Sequence, residues 1–156
     1  MSVRSLLTAA LLSASVVAVA QPAYAAAPAV KITKIYYDSP GSPDDGGNRS
    51  LNGEYVQIRN MTKKAVNLAG WTIRDATRRP DHVYTFGKFV LKPGKTVTLR
   101  TGKGTNTSTT RYWGRSGGTL AYIWNQVSDT AYLRNPAGKL IDSCSYNSSR
   151  QDYKIC

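Results

Sequence analysis

From Val30 onward, apolar residues alternate with polar ones or gather in short runs, and Gly, Pro, Asn, Asp and Ser fall between the runs. This is the rhythm of short strands separated by turns rather than the i, i+3, i+4 spacing of a helix face, and no amphipathic helix is expected between Ala26 and Cys156. The predicted strands are Val30–Tyr36, Glu54–Arg59, a stretch kinked at Gly70 with pieces Ala65–Leu68 and Trp71–Arg74, Val83–Phe86, Phe89–Leu91, Thr96–Arg100, Ala121–Trp124, Thr130–Arg134 and Lys139–Asp142. Within the second of these, Val56 and Ile58 face opposite to Tyr55 and Gln57. Lys92-Pro93-Gly94-Lys95 and Asn135-Pro136-Ala137-Gly138 carry turn chemistry, with Pro presetting φ and Gly free to take φ > 0. About eight or nine strands with turns at short intervals predict an all-β antiparallel sandwich or barrel.

The first residues differ in composition from the rest. Arg4 precedes an apolar run from Leu6 to Ala20, and Ala23-Tyr24-Ala25 has the small-residue pattern of a signal-peptidase site. Residues 1–25 are therefore expected to be a removable secretory signal, cut after Ala25, with a cut after Ala20 as the alternative, which makes the protein secreted. Removal takes away one positive charge, Arg4, from the +12 of the 156-residue chain and leaves +11 on 131 residues, enough for one domain. No later stretch is apolar enough to cross a membrane. Both cysteines, Cys144 and Cys156, lie at the far end. In an exported chain they are expected to form a disulfide that ties the tail, residues 147–156, back onto a body spanning 26–146. The alternatives are two free thiols or a metal pair without other ligands. The long segments Asp38–Gly53 and Thr101–Gly118 are the places to look for a binding surface.

The order Asn52-Gly-Glu54-Tyr55-Val56-x-Ile58-x-Asn60, then Val66-Asn-Leu68-Ala-Gly70-Trp71-x-Ile73-x-Asp75, then Leu91-x-Pro93-Gly94, and later Trp124-Asn125 before Asp129-x-Ala131-x-Leu133, resembles the lamin tail domain. The resemblance covers about residues 28–146 and is that of an exported, bacterial-type, single-domain member. It implies an immunoglobulin-like antiparallel β-sandwich that serves as an interaction module for protein, nucleic acid or envelope, and it implies no single activity. In physical terms, Gly70 lets the chain bend so that Trp71 enters the core beside Leu68 and Ile73, its indole N–H finding a backbone carbonyl. Val56 and Ile58 complete the expected core set. Asp129 and Asp142 are expected to cap turns or backbone rather than act as acids.

Catalytic chemistry is poorly supplied. The lone imidazole, His82, sits in the basic stretch Arg78-Arg79-Pro80-Asp81-His82 and is expected to be an exposed loop residue, and no G-x-S-x-G elbow is present. One His and two distant Cys do not make a zinc site. Asp38, Asp44, Asp45 and Glu54, with Asn48 and Asn52 between them, are hard oxygen donors that could hold Ca²⁺, although their spacing is not that of an EF-hand loop. The simpler expectation is a solvated Asx-turn loop, with Glu54 opening a strand and bonded to backbone or to a neighbouring cation. Gly102-Lys103-Gly104-Thr105 lacks P-loop spacing. No catalytic residue, cofactor or confident metal ligand is assigned.

Charge remains. Lys and Arg number 21 against 9 Asp and Glu, a balance whose field attracts polyanions before any specific contact. The alternative is charge kept for solubility and strand-edge protection. Arg74, Arg78, Arg79, Lys103, Arg111 and Arg115 are the candidate polyanion contacts. Tyr112 and Trp113 lie between the last two, as on faces that bind single strands or sugars, and the alternative is a pair of strand residues packed inward. The favoured expectation is a secreted, non-enzymatic module that engages an extracellular anionic polymer or envelope component. An adaptor that uses a strand edge or the 101–118 loop comes second, and a hydrolase built on His82 or the acidic loop comes last.

Overall fold

The computed structural model describes residues 27–39 and 44–156; the expected signal, residues 1–25, lies outside the described residues. In chain order the elements are β1 (Val30–Tyr36), α1 (Asn48–Gly53), β2 (Tyr55–Asn60), β3 (Val66–Asn67), β4 (Thr72–Arg74), β5 (Val83–Thr85), β6 (Val90–Leu91), β7 (Thr96–Arg100), β8 (Thr110–Tyr112), β9 (Ser128–Arg134), β10 (Leu140–Asn147) and β11 (Tyr153–Ile155). Two 3-10 turns, Pro80–His82 and Gly118–Ala121, complete them. The strands form a five-stranded sheet in the order β11-β1-β2-β7-β8, a four-stranded sheet in the order β10-β9-β4-β5, and the small β3-β6 pair. All pairings are antiparallel except β7 with β8.

The core lies between the two larger sheets, and the alternation along the strands places it there. Val56 and Ile58 from β2, and Val97 and Leu99 from β7, point inward and are buried. In β1 the apolar positions Ile32 and Ile35 are three apart, which a flat strand could not bury on one face. A bulge between Ile32 and Lys34 resets the phase, so both isoleucines face the core and Lys34 and Tyr36 face out. Ile73, Ala131 and Leu133 cover them from the opposite sheet, and Leu68 fills one end. Tyr37 and Tyr146 stack face to face at 3.8 Å within this core. Their hydroxyls donate to the carbonyls of Ser148 and Asn125. The buried Asn60 amide donates to the carbonyls of Lys64 and Leu91 at 2.7 and 2.9 Å, fastening the end of β2 to the loop that follows it and to β6.

Several expectations are corrected. Among the described residues eleven strands form instead of eight or nine, because Thr110–Tyr112 and Tyr153–Ile155 each add an edge strand to the five-stranded sheet. The apolar run Ala121–Trp124 is not a strand. It begins on the last residue of the 3-10 turn, and the N–H groups of Ile123 and Trp124 donate to the Glu54 carboxyl rather than to a neighbouring strand. A six-residue helix, α1, occupies the loop for which no helix was expected and buries Leu51. Trp71 is half-buried and packs against the core from its rim, whereas Trp124 takes the interior place at 2% exposure. Among the described residues the Trp71 indole makes no hydrogen bond to a carbonyl, while its backbone N–H donates to Leu68 O at 2.9 Å across the kink, where Gly70 has φ +77°. Asp129 and Asp142 do cap backbone: Asp129 accepts from the N–H groups of Ala76, Asn125 and Thr130, and Asp142 from that of Ile32.

The Cys144–Cys156 disulfide is formed, with Cα atoms 5.9 Å apart. It joins β10 of one sheet to the end of β11 in the other, so the tail becomes the outermost strand of the five-stranded sheet. Lys31 Nζ donates to Cys156 O at 2.8 Å, and the Cys156 N–H donates to Thr33 O at 3.0 Å, closing the same corner.

Candidate binding face

The outward face of the five-stranded sheet is built by register. Tyr36 pairs with Tyr153 on one side and with Tyr55 on the other; Tyr55 pairs with Arg100, and Arg100 with Tyr112. One row of four phenols and a guanidinium therefore crosses all five strands. The next row runs Ile155, Lys34, Gln57, Thr98, Thr110 by the same pairings. Beyond it, Lys31 faces Arg59 and Arg59 faces Thr96.

Contacts order these side chains. The Tyr36 ring lies 5.2 Å from that of Tyr55 and 5.6 Å from that of Tyr153. The Lys34 ammonium sits over all three rings, 4.9, 5.8 and 4.2 Å from the centroids of Tyr36, Tyr55 and Tyr153. Arg100 lies 5.4 Å from the Tyr55 centroid and donates to Asn52 O at the end of α1. Desolvation, with Asp152 and Asp38 nearby, raises the Tyr36 phenol, so the row has an acidic flank at the β1–β11 end. The five strands themselves contain Lys31, Lys34, Arg59, Arg100, Arg111 and Lys154 and no Asp or Glu.

The sequence-predicted cations are not gathered in one place. Arg79 and Arg115 both bind Asp81, at 2.8 and 2.7 Å, and together hold its carboxyl well below the usual range. Arg115 also donates to the carbonyls of Ala121 and Leu120, which makes it a clamp on the 3-10 turn with little left to offer a ligand. Arg111 is on the inner side of β8, its guanidinium 4.2 Å from the Phe89 ring, and covers the core edge. Arg74 lies over the Tyr132 ring at 5.9 Å, on the other sheet. Arg78 and the Lys103 side chain are exposed. Of the two predicted aromatics, Trp113 turns in: it packs 5.7 Å from Tyr84 and 6.3 Å from Trp124 and donates its indole N–H to Asp81 O. Tyr112 turns out into the row, its ring seated on Gly104, where a Cβ would lie 2.3 Å from it. The loop between β7 and β8 is tied to α1 by the Asn48 and Asn52 amides, which donate to Lys103 O.

Sequence and geometry agree with a known family. The family model for the lamin tail domain matches residues 23–148. The chain belongs to the lamin tail domain family. No curated protein matches it. The family assignment makes the chain an immunoglobulin-like interaction module, and it places β11, with Tyr153 and Cys156, beyond the matched residues.

The other candidates are structural parts of this lamin tail domain. His82 is not exposed: it is buried, with Nδ1 2.5 Å from Asp75 Oδ2, because the 3-10 turn Pro80–His82 folds its ring under β4 toward a carboxyl that is itself fully buried. Its Nε2 is buried and meets no hydrogen-bond partner, serine included, among the described residues. Glu54 is also fully buried. It accepts from Thr101 Oγ1 at 2.6 Å, from Ile123 N at 2.9 Å and from Trp124 N at 3.1 Å, while burial pushes its carboxyl up to about 8. Asp45 is turned outward and accepts from the Gly47 N–H; Asp44 meets Ser50, Tyr122 and Gln126. Desolvation and the neighbouring Asp44 and Asp152 raise Asp38. Among the described residues no group of three or more His, Cys, Asp or Glu side chains is placed to hold a metal ion. An open cleft of about 660 Å³ beside Asp44 is lined by Tyr37, Tyr122, Trp124 and Gln126.

Sequence reasoning missed Tyr36, Tyr55, Tyr153, Lys34 and Arg100 as candidates. The sequence carries part of the signal, since alternation places Tyr55 opposite Val56 and Ile58.

Proposed function

We propose that this lamin tail domain is a secreted, non-enzymatic binding module that engages an extracellular anionic polymer or envelope component through the outward face of its five-stranded sheet. One observation carries the reading: five adjacent strands contain six cations and no carboxylate, and four of those cations, Lys31, Lys34, Arg59 and Arg100, share the outer face with the phenol row. A cationic face whose strands carry no carboxylate concentrates polyanions, and each phosphate or sulfate it neutralises releases counterions. Secretion is supported by the composition of residues 1–25 and by the disulfide, which persists in oxidising compartments.

The experiment is retention of the purified protein on DNA, heparin and cell-wall matrices across a salt series. The expected result is elution that moves strongly with salt, with a slope that falls when Lys34 and Arg59 are changed to Ala and is unmoved when Arg78 and Arg79 are. Retention on no anionic matrix, or retention indifferent to salt, refutes it. N-terminal sequencing of the exported protein tests the signal, with Ala26 expected as the first residue.

A further inference from the structure

Resting on that reading, we infer that the Tyr153–Tyr36–Tyr55–Arg100–Tyr112 row is a stacking platform for single-stranded nucleic acid. The pairings place the five side chains on successive strands. At a strand spacing of about 4.8 Å the row is roughly 19 Å long, room for several unstacked bases. The phenols are not spent on the core, which lies on the other side of the sheet and is filled by Val56, Ile58, Val97 and Leu99. Tyr153 is 43% exposed, and Tyr36, Tyr55 and Tyr112 each present part of their surface to solvent.

The ligand class follows from what such a surface can distinguish. It offers partly exposed phenols in line, whose rings a base can meet or slip between, and, one row away, cations at Lys34 and then Lys31 and Arg59. A complementary polymer carries a flat π face and a negative charge in each repeat. A single-stranded nucleic acid does, and its bases are free to splay onto aromatics while its backbone follows the cations. A duplex keeps its bases stacked inside, so a sheet face meets only phosphates. Sulfated glycans and polyol phosphates have charge without π faces. Lys34 has a double part. Its ammonium is held by the three tyrosine rings, so the charge is positioned before the ligand arrives and the rings are braced at the same time. The tail completes the platform: β11 lies past the family match, and the disulfide delivers Tyr153 to the end of the row.

The test uses fluorescently labelled oligothymidine of about a dozen nucleotides, the corresponding duplex, and heparin, with affinity measured across a salt series for the native protein and for Tyr55→Ala, Tyr36→Ala and Tyr55→Phe. Loss of one stacked ring is expected to weaken single-strand binding about tenfold. Tyr55→Ala and Tyr36→Ala should do so while leaving heparin affinity and the salt slope in place, and Tyr55→Phe should keep single-strand affinity, which separates stacking from misfolding. Lys34→Ala should lower the single-strand slope by about 0.7. If single strand, duplex and heparin bind alike and the tyrosine variants change none of them, the platform is refuted while the polyanion reading stands. If none of the three binds, both are refuted.

Discussion

Changing Cys156 to Ser tests how the tail belongs to the fold. The disulfide spans 12 residues, and the loop-closure model assigns a ring of that size about 3 kcal/mol of stabilisation through the unfolded chain. The native contacts it secures are few. β11 pairs with β1 at only three positions, Lys34–Ile155, Ile35–Lys154 and Tyr36–Tyr153, and all three of its residues are exposed. A strand with so little burial has no reason to stay docked once the link is gone, whereas the remaining four strands of the sheet keep their core. Two consequences follow. Thermal unfolding should move down by about 10 °C for a chain of this size. Hydrogen exchange should show residues 149–156 becoming unprotected while β2, β7 and β9 remain slow in the native baseline. The lysine at the centre of the tyrosine cluster also loses its nearest ring, Tyr153 at 4.2 Å, so single-strand affinity should fall several-fold in the same variant. A melting temperature within a degree or two of native, together with a tail as protected as before, would refute the claim that the bridge holds β11 in place.

Glu54 gives a pH signature. Its folded-state value of about 8 lies above the ordinary 4.5, so its contribution is present in full below pH 4.5 and is lost as pH rises to 8, when the buried carboxyl must ionise. Urea midpoints should therefore fall over that window in the native protein and stay flat in Glu54→Gln; a parallel fall in both would count against this assignment. Asp75→Asn or His82→Ala breaks a buried pair and should cost about 3–5 kcal/mol by chemical denaturation, against less than 0.5 kcal/mol for the exposed Arg78→Ala. Gly104→Ala places a methyl 2.3 Å from the Tyr112 ring, so it should cost about 1–3 kcal/mol and shift the Tyr112 ring resonances, and a silent variant would show that the ring is not seated there.

The sandwich was legible because its evidence is local. Alternation in β2 and β7, the Lys92–Lys95 turn and the two cysteines each speak from within a few residues. What escaped depends on partners distant in sequence. The run Ala121–Trp124 has strand composition, but its N–H groups are claimed by Glu54, 69 and 70 residues away. His82 looks exposed among charges until the turn before β5 places it on Asp75. α1 contains one buried apolar residue, Leu51, and so shows no period at all. β11 is three exposed residues that become a strand by pairing with β1 and by the disulfide. The tyrosine row needed register: each strand displays its own outward residue, yet only the bulge at β1 and the parallel pairing of β8 bring five of them into one line. Charge counting pointed to Arg79 and Arg115 for the same reason it missed Lys34: Asp81 claims both arginines, while nothing acidic lies in the strands around the lysine.

The central claim is that binding occurs on the outer face of the five-stranded sheet. Backbone amide NMR of the disulfide-bonded protein during titration with oligothymidine tests it directly. Shift changes confined to the outer-face positions Lys31, Lys34, Tyr36, Tyr55, Gln57, Arg59, Arg100, Tyr112 and Tyr153 and their neighbours are the predicted result. Changes centred on Arg74, Arg78 and Arg79, or on the cleft lined by Tyr122 and Gln126, with the sheet face silent, would contradict it.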